Sequence, residues 1–285
     1  MRPGSVLRSL VLAACGVLTS CHSVLRVESP RAETQLTARE KRHMAALLEH
    51  MAAGWDAMQQ GPSAKRRLAQ DQYDQALASF LHEWDDHQSP RYWQSGTVFT
   101  SAHHSFQIDF DPKASPRREV APAQMDQIIL PSRRRSHAAD TLSERSGIGV
   151  PLVGHVCRTK EARKENPFMP PNGGNLTLTA VMEVDADDDD PATPRRCRLH
   201  LQNPVNVETV KIQQEERLLA ANFTAAKDRA LSRKSLRWFS WLGLLYPERT
   251  LGDCQLYRMD EYDPKRIPVV FVHGLMSDPH IWLNI

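Results

Sequence analysis

The stretch Arg266-Ile-Pro-Val-Val-Phe-Val-His-Gly-Leu-Met-Ser-Asp-Pro-His-Ile-Trp-Leu-Asn-Ile285 carries the densest structural signal of the chain. Val269–Val272 is an unbroken β-branched and aromatic run, the pattern of a strand buried on both faces. It runs into His273-Gly274, where glycine allows a backbone turn that other residues resist. Asp278 before Pro279 then reads as an N-cap followed by proline at the first helical position. The expected order is strand, turn, capped helix.

Together with two earlier strings, this segment resembles a group of bacterial envelope α/β-hydrolase lipoproteins of the lipase and esterase type. The earlier strings are Gly147-Ile-Gly-Val-Pro-Leu-Val-Gly154 and Pro167-Phe-Met-Pro-Pro-Asn-Gly-Gly-Asn-Leu-Thr-Leu-Thr-Ala180, and the third continues through Tyr262–Gly274. The resemblance covers residues 145–285 and, more weakly, the helical front. It implies a serine hydrolase acting on an ester or related acyl substrate and requiring no cofactor and no metal. It also implies an oxyanion-hole donor at the Leu275 amide, with His273 and Gly274 shaping the loop. His273 is not the catalytic base on this reading, because the triad histidine follows the nucleophile in chain order. The nucleophile frame Gly-x-Ser-x-Gly is absent; Gly61-Pro-Ser-Ala-Lys65 fails at its last position, and no Ser-x-x-Lys occurs. The chain is therefore expected to be the truncated front of such an enzyme, ending before the nucleophile elbow and inactive alone.

The N-terminus points to the envelope. Arg2 and Arg8 accompany the apolar stretch Leu10–Leu18, too short to span a bilayer and suited to a signal peptide. Leu18-Thr-Ser-Cys21 resembles a bacterial lipobox, with Cys21 as the lipidated residue. Leu12-Ala-Ala-Cys15 also fits but leaves a shorter apolar core. The membrane is then a partner through a lipid anchor at Cys21, on the periplasmic or outer surface. Removing residues 1–20 takes away Arg2 and Arg8 and no acid, so 36 basic against 34 acidic residues become 34 against 34. That balance argues against nucleic acid as a partner class, and Arg133–Arg135 reads as a solvated loop.

Past a tether at 21–35, apolar residues at Met44, Leu47, Leu48, Met51, Trp55 and Met58 predict a helix over Leu36–Gln59. Gly61-Pro62 breaks it. Leu68, Tyr73, Ala76, Leu77, Phe80 and Leu81 predict a second helix over Ser63–Trp84, completing a helical hairpin at 36–85. Residues 86–250 read as β-rich with one helix. Val98–Phe110 and Gln127–Leu130 have β character; His103-His104, if on a strand, point to opposite faces and make a poor metal site. Gly147–Val156 reads as a strand, and Leu176–Val184 with Arg198–Gln202 as a hairpin. Its connection Asp185–Asp190 lacks the glycine and distal glutamate of a calcium loop. Asn222–Trp241 predicts a helix with Phe223, Ala226, Ala230, Leu231, Leu236 and Phe239 inward, and Trp238–Tyr246 is the most apolar stretch after the leader. Cys254–Met259 reads as a further strand.

Beyond the leader lie Cys157, Cys197 and Cys254, whose spacing fits no zinc motif. Cys157 with Cys197 is the preferred disulfide, and three buried thiols are the alternative. The fold class expected overall is mixed α and β: a helical hairpin, a β-rich middle and, from residue 251, the first strands of an α/β-hydrolase sheet. The competing reading of function is a non-catalytic envelope lipoprotein that binds another protein.

Overall fold

A computed structural model describes residues 36–231 except 61–62, 102, 112–117, 132–142, 158, 161–163, 165–166, 170–172, 187–192 and 213–214, together with Ile267 and Val269. The protein is mixed α/β. Helix α1 (Ala38–Gln60) starts at a reciprocal cap: Glu40 N–H donates to Thr37 Oγ1 and Thr37 N–H donates to the Glu40 carboxylate. Helix α2 (Ser63–His87) returns against it. Met44, Leu48, Met51, Trp55 and Met58 of α1 face Tyr73, Leu77, Phe80 and Leu81 of α2, all buried, as the helical period predicts. The helices close up at Gly54, where a Cβ would come within 2.9 Å of the Tyr73 nitrogen. Leu68, expected on the inner face, is 64% exposed. It shares the outward face of α2 with Gln72 and Gln75, whereas the buried stripe runs through Ala69, Tyr73 and Ala76.

A curled six-stranded sheet forms the second layer, in the order β1-β2-β7-β6-β5-β3. Its strands are β1 (Thr97–Thr100), β2 (Ser105–Asp109), β3 (Gln127–Ile129), β5 (Val150–Val156), β6 (Gly174–Val184) and β7 (Arg195–Gln202). β6 and β7 form the expected antiparallel hairpin. All neighbouring pairs are antiparallel except β2 and β7, which run parallel with Ile108 opposite Cys197. Two small pairs complete the β structure: β4 (Glu144–Arg145) with β10 (Ala221–Asn222), and β8 (Thr209–Ile212) with β9 (Glu215–Leu218). Helix α3 (Phe223–Leu231) packs on β6. Asn222 caps it by accepting from the Ala225 N–H at 2.8 Å. The remainder of the predicted 222–241 helix lies outside the described residues, as does Trp238–Tyr246.

Strand β6 is staggered between its neighbours. Gly174–Ala180 pairs with β5, whereas Thr179–Val184 pairs with β7. Leu178 to Met182 are buried in succession, so both faces of the strand are covered there. Where β5 ends, two neighbouring residues of α2 replace it. The Tyr73 hydroxyl accepts from the Met182 N–H at 2.7 Å and donates to the Met182 carbonyl at 3.0 Å. The Asp74 carboxylate accepts from the N–H of Gly149 at 3.1 Å, and Gly149 turns the chain at φ +92. A Cβ at Gly149 would meet the Ala180 carbonyl oxygen at 2.5 Å, so no other residue fits this turn. One continuous core joins the helices to the sheet, from Met44 through Trp84 and Phe99 to Leu201.

The Asp74 contact has a pH signature. Burial pushes the carboxyl up to about 7, more than the Gly149 and Gln70 hydrogen bonds lower it, and Asp71 adds to the rise. The folded state therefore holds this proton to higher pH than the unfolded chain, whose ordinary value is 3.8. Stability contributed by Asp74 is lost as pH rises from about 4 to about 7. Asp74→Asn keeps an acceptor oxygen for Gly149 and removes the charge. Denaturation midpoints should show the variant more stable by about 2 kcal/mol near pH 8, after allowing for partial solvation, with no gain below about pH 4. A gain independent of pH would refute the assignment.

Candidate functional site

The most concentrated group of reactive side chains among the described residues is Asp126, His155 and Cys157. All three are buried, and their donor atoms lie within 4.8 Å of one another. Local structure explains why they meet. His155 and Cys157 are two residues apart at the end of β5, so extended backbone sends both side chains the same way. Asp126 enters from the edge strand: it precedes β3, and its N–H donates to the His155 carbonyl at 3.0 Å, extending the β3–β5 ladder by one bond. The Ser89 hydroxyl, fully buried just beyond α2, donates to the Asp126 carbonyl at 2.7 Å. Backbone positions are thus fixed from three elements.

The carboxylate bridges the other two groups. His155 Nδ1 lies 3.0 Å from Asp126 Oδ1 and 3.2 Å from Oδ2, and Cys157 Sγ donates to Oδ2 at 3.0 Å. Burial alone would raise the Asp126 carboxyl, but the His155 and Cys157 hydrogen bonds outweigh it and hold the group below its ordinary value. Asp126 is therefore the charged acceptor, and Nδ1 carries a proton toward it. This is not the geometry of a cysteine nucleophile with a histidine base: the thiol faces the carboxylate. As a donor set, thiol, imidazole and carboxyl are the groups that take borderline-soft divalent ions.

A second polar cluster lies on the other side of the sheet strand order. His200 Nδ1 is 3.1 Å from Glu119 Oε1, and Gln202 also donates to Glu119. Burial would lower His200, yet the Glu119 contacts prevail and raise it. Arg195 pairs with Asp56 of α1 at 2.7 Å, tying helix to sheet.

The expected Cys157–Cys197 disulfide is not formed. Neither thiol is in a disulfide, and both are buried. Cys197 pairs with Val184 at one end of β6, whereas Val156, beside Cys157, pairs with Gly174 at the other. That places them roughly 30 Å apart at a strand's rise of ~3.3 Å per residue, far beyond the ~7 Å that a disulfide spans. Burial pushes the Cys197 thiol up to about 12, so it stays protonated. Cys254 and the lipidation candidate Cys21 lie outside the described residues.

His103 and His104 stand in the turn between β1 and β2, not on a strand as the β character of Val98–Phe110 suggested. Ser101 organises that turn by accepting the N–H groups of both residues, and its hydroxyl also bonds Glu49. His104 faces Glu49 at 3.4 Å. Asp185, at the start of the acidic connection, is engaged by Arg198 at 2.6 Å. Leu275, His273 and Gly274 lie outside the described residues. Within that run Ile267 and Val269 are described, and they are 89% and 70% exposed.

An open groove of about 1570 Å³ runs between the start of α2 and the segments 146–151 and 215–220. Arg66, Arg67, Asp71 and Asp74 line one wall, and Glu215 and Arg217 the other. No described helix is long and apolar enough to cross a membrane. No known protein family, curated protein or solved structure matches this chain.

The Asp126 site was only half readable. His155-Val-Cys157 at the end of a predicted strand announces two side chains on one face. Nothing in the sequence marks Asp126 as their partner, because the pairing of β3 with β5 sets that contact.

Proposed function

We propose that this chain is the N-terminal part of a lipid-anchored serine hydrolase of the bacterial envelope, acting on esters or related acyl substrates. The observation that carries the reading is the sequence Ile267–Leu275, a β-branched run leading into His-Gly, the pattern expected of a strand and turn before a capped helix. In this reading the Leu275 amide is one donor to the oxyanion of the tetrahedral intermediate, and His273 and Gly274 shape the loop that aims it. The nucleophile, acid and base belong to sequence following Ile285. Cys21 is the lipid anchor, and residues 36–231 form a module preceding the catalytic sheet.

The exposure of Ile267 and Val269 supports this. The core of residues 36–231 is built without them, and an apolar run exposed in this way calls for further chain to cover it. The competing reading, a non-catalytic binding module, is favoured by the open groove beside α2.

Two results decide between them. Sequencing the encoding frame beyond codon 285 should reveal Gly-x-Ser-x-Gly followed by Asp or Glu and then His. The full-length product, recovered from membranes, should then label with a fluorophosphonate and hydrolyse short p-nitrophenyl esters. The same product with Cys21→Ser should leave the membrane fraction. A frame without the elbow, or a full-length protein that neither labels nor turns over ester, removes the hydrolase reading.

A further inference from the structure

We propose that Asp126, His155 and Cys157 form a binding site for one divalent transition-metal ion of the zinc class, independent of any hydrolase chemistry. The donor set is the first argument. Cysteine thiolate, imidazole and carboxylate are three of the groups that bind zinc, and all three converge here. Four-coordinate zinc with bonds of 2.0–2.3 Å sets its donors roughly 3.3–3.7 Å apart. With Oδ2 as the carboxylate donor, Nδ1 lies 3.2 Å and Sγ 3.0 Å from it, and all three donors lie within 4.8 Å of one another. An ion would therefore lengthen the two contacts to Asp126 by a few tenths of an ångström, starting from donors already within 4.8 Å of one another.

Charge is the second argument. Here two hydrogen bonds of 3.0 Å, one with Nδ1 and one from Sγ, occupy the positions facing the carboxylate. A divalent ion takes their place. The thiol proton leaves to solvent, and the imidazole keeps one proton by carrying it on Nε2. One carboxylate and one thiolate then balance two positive charges in a buried site, which avoids an uncompensated interior charge.

The third argument is positioning. Metal ligands work when outer partners hold them, and the backbone of Asp126 is held on both sides. Its N–H is bonded to the His155 carbonyl and its carbonyl to the Ser89 hydroxyl. The Thr159 N–H bonds the Cys157 carbonyl at 2.9 Å. The ion would fasten edge strand β3 to the end of β5, with a water completing the fourth position.

The test uses the 285-residue chain without a histidine tag, reduced and freed of metal with a chelator. Zinc competed against a chromophoric chelator should bind at one equivalent per chain, and cobalt should give a thiolate-to-cobalt charge-transfer band. Cys157→Ser retains size and a hydroxyl donor to Asp126. It should keep the circular dichroism of the parent, lose the cobalt band and bind zinc about 100-fold more weakly. If that variant fails to fold, alkylation of the unaltered protein in mild denaturant decides instead, because zinc should protect Cys157 and leave Cys197 unaffected. No stoichiometric zinc, a cobalt band surviving in Cys157→Ser, or no protection of Cys157 overturns the proposal.

Discussion

Trp84→Ala should destabilise the protein by about 4 kcal/mol, the range for deleting a large aromatic from a packed core. Trp84 is fully buried at the junction of α2 and the sheet. Its ring stacks on Trp93 with centroids 4.0 Å apart and planes 8° apart. Phe99 of β1 meets it edge-on at 5.4 Å, and Phe80 lies at 5.4 Å one turn back along α2. Truncation removes all three contacts and leaves a cavity bounded by a helix, a short 3₁₀ turn and a strand, none of which can collapse without moving the others. Urea denaturation followed by circular dichroism should show the midpoint fall with the slope unchanged. Trp84→Phe should recover more than half of the loss, since it restores an aromatic face to Trp93 and Phe99. A loss under about 1 kcal/mol for Trp84→Ala would mean that this junction is not packed as described.

Tyr73→Phe should cost about 3 kcal/mol although it deletes a single oxygen. That oxygen serves both the N–H and the C=O of Met182 at the point where β5 no longer pairs with β6. Two buried backbone groups lose their partner together, and each unsatisfied group costs about 1–3 kcal/mol. Burial also drives the Tyr73 phenol well above its ordinary range, so the hydroxyl retains the proton it donates at every pH at which the protein folds. The ring is unchanged in the variant, so its contact with Trp55 at 5.5 Å should survive. Hydrogen exchange at the Met182 amide distinguishes the cause: it should accelerate by more than its neighbours on β6. Uniform acceleration along the strand would indicate general loosening instead.

Both predictions rest on contacts that periodicity reveals only in part. The helical stripe announced Tyr73, Phe80 and most of the α1–α2 interface, because a hairpin's inner faces repeat at the helical period. It misplaced Leu68, which lies with Gln72 and Gln75 on the outward face, one residue before the buried stripe starts at Ala69. The β6–β7 hairpin was readable from alternation and an acidic connection. The parallel pairing of β2 with β7 was not, because a long-range strand pair leaves no local mark. That same pairing order decides which cysteines meet: Cys157 and Cys197 both lie near strand residues, yet at opposite ends of β6. Asp126 was invisible for the same reason, and His155-Val-Cys157 was the one legible part of the buried cluster.

The β2–β7 pair also sets a clock. The chain emerges N-terminus first, from the ribosome and then, on the envelope reading, across the membrane, and synthesis sets a pace of about 5–20 residues per second. The helical hairpin and the β1–β2 hairpin are local and can form as they emerge. Residues 110–194 must then be synthesised before Arg195–Arg198 arrives to pair with Phe106–Asp109. For roughly 4–17 seconds at those rates β2 keeps one edge without its partner. Closure of the sheet is thus a late event in the emerging chain, and any factor that shields an unpaired strand where the chain folds has its window between the emergence of β2 and that of β7.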